Sequence, residues 1–104
     1  MSDKIYSIDE IKDIVVPIAV KYDVDRVFLF GSYARGEANG SSDLDFIIDK
    51  GRLRGLRFAG MLGDLQEKFE KGVDLLTSSS LIKDDGFVNF KKKIEKDMVI
   101  IYEQ

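Results

Sequence analysis

Three short apolar runs rich in β-forming residues constrain this chain most: Arg26–Phe30, 43–49 and Val73–Thr77. Each has five to seven residues, the length of a strand and too short for a core helix. The segments between them read as helices and loops. Ser7-Ile8-Asp9-Glu10 has the form of a capping box. Ile11, Ile14, Val15 and Ile18 follow at helical spacing, and the pattern fades near Tyr22. Pro17 removes one helical hydrogen bond, so a kink or local break is expected there. A second helix is expected over 56–71, with Phe58, Met61, Leu62, Leu65 and Phe69 as its apolar stripe and Gly72 as its C-cap. Residues 32–35 read as a short helix stopped by Gly36, and 37–42 as a polar loop. Beyond the third run come a loop at 78–85, a helix over 86–96 with a basic outer face, and a segment at 98–102 that reads as a last strand in preference to a continuation of that helix. This order predicts an α/β (α+β) fold, a small mixed sheet flanked by helices.

With 104 residues the expectation is one domain spanning 1–104. The chain has no Cys and no His. That excludes disulfides, thiolate nucleophiles, Cys- or His-ligated zinc and the Ser-His-Asp triad. Chemistry must run on carboxylates, hydroxyls, Lys, Arg or a bound ion. Any metal would sit among oxygens, which favours Mg²⁺, Mn²⁺ or Ca²⁺. The net charge of −3 provides no general attraction to nucleic acid or anionic membrane. No apolar run is long enough to span a bilayer, and MSDKIYSIDE lacks the apolar centre of a secretory signal. The expected setting is cytoplasmic.

The informative stretch is 29–49, LFGSYARGEANGSSDLDFIID. Gly31-Ser32 directly follows a strand. A glycine lets backbone approach a ligand closely, and a following helix N-terminus would offer N–H groups to an anion. By itself the pair is more often an ordinary turn. Asp43 and Asp45 are two apart, so a strand puts them on one face with Cα atoms about 7 Å apart. Such carboxylates repel unless a cation lies between them, although a lone D-x-D is more often a solvated strand start. Asp74 interrupts the third apolar run. It reads either as a third carboxylate beside the first two or as an exposed residue at a sheet edge.

Gly31, Ser32, Ala34, Arg35, Gly36, Asp43, Asp45 and, less specifically, Asp74 together resemble the nucleotidyltransferase superfamily of DNA polymerase β type, specifically its minimal stand-alone members. The resemblance covers nearly the whole chain, and the spacing from Ser32 to Asp43 fits without adjustment. It implies the polymerase β-type nucleotidyltransferase fold. Gly31 and Ser32 would hold the β- and γ-phosphates of an NTP. Asp43 and Asp45 would bind two Mg²⁺ ions, and Asp74 would ligate one ion and act as general base. Arg35 would either neutralise phosphate charge or face solvent. Small members are typically the antitoxin half of a HEPN toxin–antitoxin pair. The implied reaction is therefore transfer of AMP from ATP to a hydroxyl, a tyrosine of a cognate HEPN toxin, with release of pyrophosphate.

Lys50, Arg52, Arg54 and Arg57 follow the aspartate strand. They suit triphosphate, nucleic acid or an acidic partner, but a solvated loop accounts for them as well. Lys91-Lys92-Lys93 reads as a solvated helix face. About 100 residues hold a catalytic core and little else, so a second copy or a partner protein would have to complete the acceptor side. Two alternatives remain. One is a non-enzymatic antitoxin that neutralises a partner by binding it. The other is transfer to a small molecule such as an aminoglycoside. Nucleic acid is the weakest acceptor, given the acidic balance.

Overall fold

The computed structural model describes residues 4–49, 51, 53–77 and 98–104. The helix expected over 86–96, the loop at 78–85, Lys50, Arg52 and the three lysines at 91–93 lie outside the described residues.

Helix α1 spans Ile8–Tyr22. Ser7 caps it as expected. Its side chain accepts from the Glu10 N–H at 3.1 Å, and Glu10 reaches back to accept from the Ser7 N–H at 3.1 Å. The helix runs through Pro17 without the expected break. Ile11, Val15, Ile18 and Ala19 around it are all buried, and their packing outweighs one lost hydrogen bond. Asp23 ends the helix in the left-handed conformation, with its N–H returned to Ala19 and Val20.

Strand β1 (Arg26–Phe30) pairs antiparallel with β2 (Leu44–Asp49). Helix α2 (Leu56–Phe69) then crosses to β3 (Val73–Thr77), which lies parallel to β2. Strand β4 (Val99–Glu103) adds antiparallel to the free side of β1. The result is a four-stranded mixed sheet ordered β3-β2-β1-β4. The last strand was expected from its β-branched residues, and it forms.

Two local expectations change. Residues 31–36 are turns rather than a short helix. Gly31 and Gly36 bracket the segment at φ +75° and +73°, so right-handed helical backbone does not extend past either end. Gly72 is not the cap of α2. Glu70 closes that helix in the left-handed conformation, and Gly72 has a different role described below.

Successive strand residues point to opposite faces of the sheet, and both faces hold buried residues: Phe28 and Ile47 form a second, smaller cluster with Phe30 and Met98 packed against it. Val27, Leu29, Leu44, Phe46, Ile48, Val73 and Leu75 join the core beneath α1 and α2, with Met61, Leu65 and Phe69 from α2. Tyr6 locks the end of α2: its hydroxyl donates to the Phe69 carbonyl at 2.7 Å, and the two rings meet edge-on at 5.0 Å. Asp45 and Asp74 take the alternate positions and therefore stand on the opposite face of the sheet. Among the described residues no helix is long and apolar enough to cross a membrane.

Candidate active site

Strand register brings the aspartates together. Asp45 and Asp74 are Cα partners in the parallel ladder between β2 and β3. On its other side, Asp45 is the Cα partner of Phe30, the residue before Gly31. Asp43 lies one residue before β2, and the ladder opens beside it where the Leu44 N–H donates to the Gly72 carbonyl at 2.9 Å. Asp43 and Asp74 are exposed and Asp45 is half-buried.

Both flanking glycines are needed for this approach. A Cβ on Gly31 would lie 2.5 Å from Oδ2 of Asp45. A Cβ on Gly72 would overlap Oδ1 of Asp43 and lie 2.8 Å from its Cγ. The Asp45 carboxylate thus rests over the backbone of the Gly31 turn, and the Asp43 carboxylate over that of Gly72. This is the close approach that only a residue without Cβ permits.

The same crowding shows in the electrostatics. The Asp45 carboxyl is pushed up from 3.8 to about 6. Burial is the largest cause, followed by a hydrogen bond with Asp74 and the negative charges of Asp74 and Asp43. Arg35 opposes the shift, so its positive charge reaches the group. Arg35 is itself exposed and pairs with Glu37 at 3.2 Å. The expectation that Arg35 faces solvent therefore holds. Asp74 satisfies both of its readings: it is exposed on the edge strand β3 and it faces Asp45. Ser32, half-buried in the turn, accepts the Glu37 N–H on its carbonyl at 2.9 Å.

Chemically, this is a group of oxygen donors at the ends of β2 and β3 beside a glycine turn. Among the described residues no group of three acidic side chains is already closed into a metal-binding cluster. The donor set nonetheless fits a hard divalent cation. Mg²⁺ is usually held by one or two carboxylates together with substrate phosphates, not by an all-protein cage.

Comparison with known proteins identifies the family of the chain. Residues 8–101 match the family model described as a nucleotidyltransferase domain. The chain belongs to that family. Two relatives from Methanocaldococcus jannaschii carry the name "Putative protein adenylyltransferase". One is 39% identical over 76 residues, covering 72% of this chain and 82% of its own length. The other is 35% identical over 103 residues, covering 91% and 98%. The fold recurs in a solved toxin–antitoxin structure with AMP-PNP, at a TM-score of 0.67, 14% identity, 89% of this chain and 73% of that one. It recurs again in the complex of a tri-AMPylated Shewanella oneidensis HEPN toxin with an MNT antitoxin, at a TM-score of 0.61, 12% identity, 89% and 70%.

Within this nucleotidyltransferase, the expected positions Gly31, Asp43, Asp45 and Asp74 come together, Ser32 adjoins them in the turn, and Arg35 stands within electrostatic range. Of the basic segment, Arg54 and Arg57 are among the described residues. Arg57 lies over the Tyr22 ring at 5.4 Å and donates to the Lys21 carbonyl at 3.3 Å, and Arg54 is exposed. Gly72 and Lys71 were not expected at the site. A glycine just ahead of an apolar strand has the same appearance as a helix cap, and only the register of β2 on β3 brings Gly72 beneath Asp43.

Proposed function

We propose that this nucleotidyltransferase moves AMP from ATP onto a hydroxyl of a protein acceptor, a tyrosine of a cognate HEPN toxin, and so acts as the antitoxin of the pair. The observation that carries the reading is the juxtaposition of Asp45 with Asp74 across the β2–β3 ladder, beside Asp43 and the Gly31 turn. Support for a protein acceptor comes from the names of the Methanocaldococcus relatives. Support for a toxin partner comes from the toxin–antitoxin structures that share the fold, and for a HEPN toxin from the Shewanella oneidensis complex among them. In this reading residues 1–104 act as one catalytic domain, and the acceptor side is completed by the partner.

Asp43, Asp45 and Asp74 are the residues that would hold two Mg²⁺ ions. When bound, the ions would supply charge neutralisation at the triphosphate and a lowered pKa at the attacking hydroxyl. Gly31 presents backbone close to the triphosphate, and Ser32 hydrogen-bonds a phosphate oxygen. Arg35 balances negative charge at the same end. Asp74 accepts the proton from the acceptor hydroxyl. The hydroxyl oxygen then forms its bond to the α-phosphorus, the bond to the bridging oxygen breaks, and pyrophosphate leaves with that electron pair. A carboxylate suffices as base, which explains how a chain without histidine performs the reaction.

The test is label transfer. The protein is incubated with Mg²⁺ and α-labelled ATP, in a lysate of its source and with the product of any adjacent gene. A labelled protein band that requires Mg²⁺ and disappears in the Asp43→Asn/Asp45→Asn double variant is expected. Labelling that survives in a correctly folded double variant would refute the assigned site. Mg²⁺-dependent ATP binding with no labelled protein would refute the protein acceptor.

A further inference from the structure

Lys71 occupies the junction of the segments that carry the site. Its ammonium donates to the Lys4 carbonyl at 2.9 Å, the Tyr33 hydroxyl at 3.1 Å and the Gly40 carbonyl at 3.3 Å. An ammonium has three N–H donors, so these acceptors use all of them. Tyr33 is the residue after Ser32, and only 5% of it is exposed. Lys71 also lies 5.5 Å from the centre of its ring. Gly40 belongs to the loop that leads to Asp43. That loop is closed on itself by Asn39, whose side chain accepts from Ser41 at 2.8 and 2.9 Å, and whose N–H donates to Ser42 at 2.9 Å. Lys71 itself directly precedes Gly72, on which the Asp43 carboxylate rests.

We infer that Lys71 is a positioning residue that sets the spacing between the Ser32 turn and the Asp43 loop. The inference rests on the nucleotide-binding role proposed for that turn. Lys71 is placed to act through its neighbours: with three donors committed inside the protein, it has none left for a phosphate. What it supplies is a fixed distance between a phosphate-binding turn and the carboxylates opposite. A charge-assisted hydrogen bond from a half-buried ammonium is among the stronger ties available for that purpose.

The experiment compares wild type with Lys71→Met, Lys71→Arg and Tyr33→Phe, using Mg²⁺–ATP binding by calorimetry and amide hydrogen exchange of the free protein. Methionine keeps the apolar stem and removes all three donors. The expected result is about tenfold weaker Mg²⁺–ATP binding, with faster exchange confined to 33–42. Tyr33→Phe removes one acceptor, so a smaller loss is expected, and it should not add to the loss from Lys71→Met in the double variant. Arginine keeps the charge but has a planar fork, so it should restore only part of the binding. An Ile11→Val core variant controls for lost stability and should leave binding unchanged.

Equal binding by wild type and Lys71→Met, with unchanged exchange at 33–42, would overturn the positioning role while leaving the nucleotide site intact. Full recovery with arginine would assign the effect to charge and overturn the three-way clamp. Absence of Mg²⁺–ATP binding in wild type would refute the nucleotide reading itself, and this inference with it.

Discussion

Gly72→Ala separates the site from the stability of the fold. Gly72 is not one of the positive-φ glycines, so alanine meets no backbone strain there. Its Cβ would overlap the Asp43 carboxylate, lying 2.8 Å from Cγ where ordinary contact begins at 3.4 Å. Asp43 is exposed and can swing outward, so the overlap resolves by moving the carboxylate about 1 Å or more. The unfolded chain loses some freedom when glycine becomes alanine, which raises stability by up to about 1 kcal/mol. A misplacement of about 1 Å in a catalytic group costs about 100-fold in rate. The expected variant is therefore as stable as wild type or more so by thermal unfolding, yet transfers label about 100-fold more slowly. Transfer at the wild-type rate in the stable variant would show that the position of Asp43 over Gly72 is immaterial to the chemistry. A large drop in melting temperature would show that the strand, not the side chain, absorbs the clash.

Other perturbations follow from the same geometry. Gly31→Ala should lose activity and also stability, by about 1–2 kcal/mol from the positive φ alone, as read by urea unfolding. Phe69→Ala should destabilise by about 3–5 kcal/mol, because the ring is fully buried between Tyr6 and Phe46. The pH dependence has a definite sign. The folded state holds the Asp45 proton more tightly than the unfolded chain, so metal-free stability should fall as pH rises from 3.8 through about 6. That interval corresponds to at most about 3 kcal/mol, and solvent screening of this partly open group reduces it to about 1 kcal/mol. Urea midpoints for wild type and Asp45→Asn should converge at pH 4 and separate at pH 7, with the asparagine variant the more stable; parallel curves would refute the assignment.

Local sequence signals carried much of this molecule. The Ser7–Glu10 box determined where α1 starts, because both reciprocal hydrogen bonds close within four residues. The apolar runs located β1 and β3 to the residue, since a short run of apolar, β-forming residues is a property of the chain segment itself. The spacing of Gly31-Ser32 and Asp43-x-Asp45 marked the candidate site for a related reason. Asp45 lies on β2 with Asp43 just ahead of that strand, and Gly31 follows the strand that pairs with it.

What no local pattern contained was the order of the strands. Asp74 faces Asp45 because β3 lies parallel to β2, and that pairing depends on α2 packing its Met61, Leu65 and Phe69 onto the sheet. The turn at 31–36 is another case: short-range propensity allowed a helix, and the segment instead forms turns between two glycines at positive φ. Gly72 and Lys71 acquire their meaning only once Asp43, Tyr33 and Gly40 arrive beside them from more than 25 residues away. The sequence by itself determined which elements form and which two carboxylates stand two apart at the start of one strand, because those interactions are short-range. Only the tertiary structure decided which third carboxylate joins them and which glycine and lysine support them, because these depend on strand register and on contacts between distant segments.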